Sequence, residues 1–247
     1  MGNIINVDKL SEEVGKRVSW YVDELYKIHT DNLLSVILYG SAVDADFDIK
    51  WSNINIVLVF KNIGAGTLQK SLHIIDKGRK KKIIAPLFFT HQHIKTSSDT
   101  FPMEFLEIKD KHLLLYGEDA FGQLEVDGKN LRLECEQQIK SMLIKLRQSY
   151  LEVGLARKGL EKMLHESFRS LMPILRTILR LKSEDIPQTK EELIEKSSSI
   201  VSFRKDIFLA LLKDKQGDEK IGGKEAISFF DDYLIELAKI AQYVDGI

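Results

Sequence analysis

Two apolar runs, Leu33 to Tyr39 and Ile54 to Phe60, constrain the fold of this chain more than any other feature. Each has the length of a strand and is apolar at nearly every position, the pattern of a strand buried on both faces. The first ends at Gly40, a natural strand terminator. Similar runs at Ile83 to Thr90 and Phe105 to Leu115 predict a third and a fourth strand. Ahead of them, Ser11 to Lys27 predicts a helix. Ser11 and Glu13 stand near its start, and Val14, Val18, Val22 and Leu25 fall on one face. A lead helix followed by several strands predicts a mixed α/β sheet.

From Leu131 onward the strand signals fade and apolar residues recur at helical spacing. Leu131, Cys135, Ile139, Met142, Leu146 and Tyr150 form one stripe. A second helix is expected from Val153 to Lys182, bent near Pro173, where proline removes a backbone donor. Lys190 to Ser197, Ser202 to Lys213 and Lys224 to Val244 complete the helical set, and Gln216 to Gly223, rich in glycine and charge, reads as a loop. Gly122 and Gly128 interrupt the pattern between the two textures. The expected organisation is therefore an α/β domain over residues 1–122 and an α-helical bundle over residues 129–247.

Composition narrows the function classes. The chain has 247 residues, 44% hydrophobic and 30% charged, enough apolar material for a real core. Lys and Arg number 36 against 37 Asp and Glu, and neither half is polybasic, which speaks against a dedicated nucleic-acid or membrane binder. No apolar stretch approaches the length of a membrane span, and the N-terminal segment lacks a signal-peptide core. Cys135 is the single cysteine, which excludes an intrachain disulfide and fits a reducing cytoplasm.

The chemical information is concentrated in Leu38-Tyr39-Gly40-Ser41, followed after eleven residues by Asn53-Ile54-Asn55-Ile56-Val57-Leu58-Val59. Gly40 at a strand end lets the backbone approach a phosphate, since no Cβ intervenes. Ser41 offers a hydroxyl and an amide to an anion. Residues 53 and 55 lie two apart on a strand and so point to one face. This segment resembles the nucleotidyltransferase superfamily, of the polymerase-beta-like and kanamycin-nucleotidyltransferase type. Its pattern is a strand, Gly-Ser, about ten residues, then two acids flanking an apolar residue, with a third acid on a later strand. The resemblance covers residues 30 to 120, and the helical tail is similar to the C-terminal bundle of that type. It implies nucleotide binding at Gly40, Ser41, Asn53 and Asn55, and implies that active relatives hold two Mg²⁺ ions on carboxylates at the acid positions.

The chain departs from that pattern at both acids. Asn53 and Asn55 carry no negative charge, which removes most of the electrostatic reason for a dication to bind, and an amide accepts no proton at neutral pH. No metal site and no certain cofactor are expected. The leading expectation is a catalytically degenerate nucleotidyltransferase-like protein that binds a nucleotide or a partner protein. One alternative is an active Mg-dependent enzyme transferring NMP from an NTP to a small molecule or protein, with Glu107 as the third acid and Asp44, Asp46 and Asp48 as loop ligands. Another is a dimerising, toxin–antitoxin-like interaction module built on the helical domain.

Other features are less directed. His91 and His93 would share a face on a strand continued to Ile94, but no third zinc ligand is evident. Gly78-Arg79-Lys80-Lys81-Lys82 could meet phosphates or simply end a helix in solvent. The helical tail also resembles the HEPN group, some of whose members are ribonucleases that pair an Arg with a His across four to six intervening residues. Arg157 stands seven intervening residues before His165, one too many, so ribonuclease chemistry is not expected. Arg169, Arg176 and Arg180 share a helical face.

Overall fold

A computed structural model describes residues 4–44, 47, 49, 52–153, 157–216 and 225–247. The chain divides into two compact units, Met1–Val126 and Asp127–Ile247. Asp46, Asp48 and residues 217–223 of the glycine-rich loop lie outside the described residues.

The first unit begins with α1, Glu12–His29. Ser11 caps it by accepting from the Val14 amide, and Glu12 and Glu13 in its first turn complement the helix dipole. The apolar stripe Val14, Val18, Val22 and Leu25, joined by Tyr21, is buried. The described strands are β1 (Leu33–Tyr39), β2 (Asn55–Phe60), β3 (Leu87–Thr90) and β4 (His112–Gly117), in the order β3-β2-β1-β4. β1 runs antiparallel to both of its neighbours. β2 and β3 are parallel, and α2 (Ala65–Arg79) makes the crossover that a parallel pair requires.

Strand alternation sorts the core into two layers. Val36 and Leu38 of β1, with Ile56, Leu58 and Phe60 of β2, pack against the buried residues of α1 and Ile74 of α2. Ile37, Val57 and Val59 face the opposite way, against Ile94, Phe105, Ile108 and Phe121. Ile94 belongs to α3 (His91–Ser97), and Phe105 and Ile108 belong to α4 (Pro102–Asp110). The sheet is therefore covered on both faces, which is why β1 and β2 read as continuous apolar runs.

Three expectations need correction. The run Phe105 to Leu115 is not one strand: α4 occupies it to Asp110, and β4 starts at His112. Pro102 at the helix start presets the backbone dihedral, and Phe105 and Ile108, three apart, bury one helical face. The third strand is shorter than expected, because Pro86 breaks the run; Ile83 makes only an isolated bridge to Ile54 before β3 begins at Leu87. His91 and His93 do not extend β3 but open α3, where Thr90 caps the His93 amide at 3.1 Å. Two residues apart on a helix, they do not share a face.

The second unit is helical among its described residues: α5 (Gly128–Val153), α6 (Arg157–Leu181), α7 (Lys190–Val201), α8 (Lys205–Gln216) and α9 (Glu225–Asp245). On α5 the stripe Leu131, Cys135, Ile139, Met142 and Leu146 is buried, and Tyr150 stacks on Phe230 of α9 at 4.6 Å. Burial pushes the Cys135 thiol up to about 12, which makes it an unreactive core residue. α6 continues across Pro173. His165 pairs with Asp214 at 2.7 Å. No described helix in either unit is long and apolar enough to cross a membrane.

His29 supplies a pH test of the first unit. Its ring is buried at the end of α1, 2.9 Å from the Ser71 hydroxyl and edge-on to Phe60. Burial, with Lys70 adding to it, holds its pKa below the ordinary value. The folded state thus binds a proton less readily than the unfolded chain. The resulting stability is full above about pH 6.5, the unfolded value, and is lost as the pH falls from there through the lower folded-state pKa. The urea midpoint is expected to drop between pH 7.5 and 5.5, and the drop should shrink in His29→Gln, which has no proton to gain. An equal drop in both proteins would show that His29 is not the source.

Candidate nucleotide site at the end of the central strand

Tyr39, the last residue of β1, is flanked by Asn55 of β2 on one side and His112 of β4 on the other. Directly paired residues point to the same face of a sheet, so these three side chains form a row across three strands. The row lies on the layer that holds Ile37, Val57 and Leu114. Burial, with the charge of Glu104 adding to it, pushes the Tyr39 hydroxyl up to about 12, so the phenol stays protonated.

The chain leaves β1 through a single tight turn over Gly40–Val43. Gly40 has φ +74°, and its N–H donates to the Lys111 carbonyl at 2.8 Å. A Cβ built on Gly40 would stand 3.2 Å from the Asn55 amide nitrogen. The turn therefore needs glycine for its dihedral and for the close approach of Asn55. Ser41 is exposed, and its carbonyl accepts from the Asp44 amide at 3.1 Å. Ile54 is buried between an exposed Asn53 and a half-buried Asn55, so the alternation expected of the two asparagines is present.

A lysine and a histidine flank this turn, each bonded to a carboxylate. The Lys111 ammonium lies 2.9 and 3.1 Å from the two carboxylate oxygens of Asp44. His112 presents Nδ1 to the Lys109 carbonyl at 2.8 Å and Nε2 to Asp119 at 3.0 Å. Each ring nitrogen thus meets an oxygen acceptor. Burial, the largest single influence on Asp119, raises its pKa. The bonds from His112, Phe121 and Gly122 together outweigh it and hold the carboxyl below its ordinary value. On the β2 side, the Ile54 N–H donates to the Lys82 carbonyl at 2.8 Å, which brings the end of the basic run to the position next to Asn53.

Of the residues singled out from sequence, Gly40 and Asn55 meet here, with Ser41 next in the turn and Asn53 two residues before Asn55. Glu107 lies on α4, not on a strand. Asp44 is in the turn and is paired with Lys111. His93 stacks on Phe89, away from this row. Lys111, His112 and Asp119 give no signal in the sequence, because the expected strand from Phe105 runs straight through the place where β4 begins at His112. A helix ending at Asp110 would have exposed the Lys-His start of β4.

The fold is that of a nucleotidyltransferase-like α/β unit followed by a helical region. A structure of spectinomycin adenyltransferase AAD(9) from Enterococcus faecialis, solved with ATP and spectinomycin, matches it with a TM-score of 0.58 and 13% identity. The match covers 91% of this chain and 98% of that one. No family model and no curated protein sequence matches the chain.

Magnesium is the metal this fold type implies, and the donors among the described residues do not suit it. Asn53 and Asn55 offer uncharged amide oxygens, His112 heads the later strand, and Lys111 sits beside the turn. Among the described residues, no cluster of three or more His, Cys, Asp or Glu could hold a metal ion.

Gly40→Ala tests the geometry of the turn. A left-handed dihedral costs a non-glycine residue about 1–2 kcal/mol, and the added methyl must also displace the Asn55 amide. The variant is expected to unfold at lower urea by that margin with an unchanged slope. Full wild-type stability would mean that the turn relaxes to a negative φ.

Proposed function

We propose that this protein is a nucleotide-binding, catalytically degenerate relative of the nucleotidyltransferases. Residues 1–122 hold the nucleotide and residues 129–247 form the accompanying helical domain. The observation that carries this reading is the retained Gly40-Ser41 turn packed against Asn55, with amides at both positions where metal-dependent transfer needs carboxylates. Phosphoryl transfer relies on metal ions to bridge the phosphates and neutralise developing charge. Two neutral amides do not supply that, whereas a backbone turn open to phosphate still binds.

The fold neighbour was solved with ATP, which makes ATP the first ligand to try. An active enzyme built instead on Glu107 and the Asp44 loop is disfavoured: Asp44 is bound to Lys111, and Glu107 sits on a helix.

The test joins calorimetric titration with each NTP to a transfer assay using NTPs labelled at the α-phosphate. The assay includes Mg²⁺ and a panel of acceptors, spectinomycin among them. Binding of at least one NTP without transfer is expected. Metal-dependent transfer of labelled NMP to any acceptor would overturn the degenerate reading, and no binding of any NTP would remove the nucleotide.

A further inference from the structure

We infer that a second copy of this chain docks, about a two-fold axis, on the side of the first unit formed by the edge of β3 and the outer flank of α2. The inference is independent of the nucleotide reading.

The two ends of the sheet are finished differently. At β4 the chain's own N-terminal segment lies along the strand: the Ile5 N–H donates to the Leu115 carbonyl and the Asn6 side-chain amide to the Leu114 carbonyl, both at 2.9 Å. β3 stands at the other end with β2 as its partner strand, and among the described residues no backbone bond reaches its outer edge. Such an edge offers unpaired N–H and C=O groups to another strand. β3 has only four residues and would hold little alone, so the helix beside it decides what fits.

That helix leaves apolar side chains uncovered. Leu68 is 47% and Leu72 64% exposed, and Ile75 is half-buried. At 3.6 residues per turn the three fall within about 60° of one another. Their flank is turned away from α1, since Lys70 stands near His29 and Lys77 near Glu24, both on α1, on the opposite side of α2. α1 packs on β1, so the apolar flank faces the β3 edge.

Sheet geometry selects the occupant. A crossover helix lies over the strands it joins, here β2 and β3. Strands are about 4.8 Å apart, so adding the β3 of a second copy antiparallel, about a two-fold normal to the sheet, brings the two α2 helices to about 10 Å. That is the distance at which helices pack. A lone peptide strand would pair with β3 but leave Leu68 and Leu72 bare. The stripe is also self-complementary: reversed about Leu72, Leu68 meets Ile75 of the second copy and Leu72 meets its own copy. Asp76, at the margin, is paired with Lys80, and Arg79 comes opposite the uncharged helix start at Gly64 to Gly66. A two-fold through Phe88 pairs Leu87 with Phe89 of the second copy and keeps every side chain in its own layer. The face is about 22 Å long, the length of α2, which is small for a specific interface, so the dimer should dissociate on dilution.

The experiment is sedimentation equilibrium of the full chain from low micromolar to near-millimolar concentration. The mass is expected to rise from 28.3 kDa toward twice that value. Leu72→Lys sets two ammonium groups against each other on the axis and should raise the dissociation constant more than about tenfold, with an unchanged urea midpoint because the position is exposed. Leu72→Cys should form an intermolecular disulfide under mild oxidation. Ile144→Cys, exposed on α5 in the second unit, should not, and Cys135 is buried.

A monomer at every concentration would overturn the inference and leave the face to a different partner. A dimer that Leu72→Lys leaves intact and Leu72→Cys does not trap would overturn it as well, and would place the contact on another surface, such as the helical bundle.

Discussion

Strand β1 is paired along both edges and covered on both faces, and the first unit is arranged around that fact. A strand so enclosed leaves the chain no freedom until its last residue. Val36, Ile37 and Leu38 are fully buried, so the register of β2 and β4 on either side is fixed by which residues can face which layer. That register brings Asn55 and His112 to Tyr39. The left-handed dihedral at Gly40 then turns the chain out of the sheet at the one place where three strands present polar side chains together. The candidate site is the first point at which an enclosed strand meets solvent.

Charge at that point is set by few residues. In a metal-dependent nucleotidyltransferase the strand ends are acidic because a triphosphate and its metals must be held together. Here the described residues around the turn are two amides, a tyrosine, and a lysine and a histidine that are each bonded to a carboxylate, Asp44 and Asp119.

Much of the fold was legible in the sequence where burial is two-sided or periodic. The run Leu33 to Tyr39 is β1 to the residue, the Ser11 cap begins α1, and the α5 stripe is the buried stripe. What escaped was decided by partners that a local pattern does not contain. α2 buries only Ser71, Ile74 and Gly78 and leaves Leu68 and Leu72 exposed, so its helical period is blurred. α4 was hidden because Phe105, Leu106 and Ile108 run into the leucines of β4 without a break in hydrophobicity. The same error concealed Lys111 and His112. Residues contributed by the motif itself, Gly40 and the two asparagines, were visible; those contributed by the neighbouring strand were not.

The separation of packing from chemistry explains how a fold can persist at 13% identity. The two layers of the core draw on Val36, Leu38, Ile56 and Leu58 on one side and on Ile37, Val57, Val59 and Phe105 on the other. Asn53 and Lys111 belong to neither layer, and Asn55 and His112 stand at the outer end of the second. Their side chains sit at strand ends, where exchanging an acid for an amide, or a neutral residue for a lysine, removes no apolar contact and opens no cavity. A chain can thus lose or reverse the charge of its site without weakening the sheet that positions it. Glycine at position 40 is the exception, since the turn, the Lys111 carbonyl and the Asn55 amide all depend on its missing Cβ and its left-handed dihedral. Architecture and ligand chemistry meet at that residue, and the fold by itself therefore specifies where a ligand would bind but not which one.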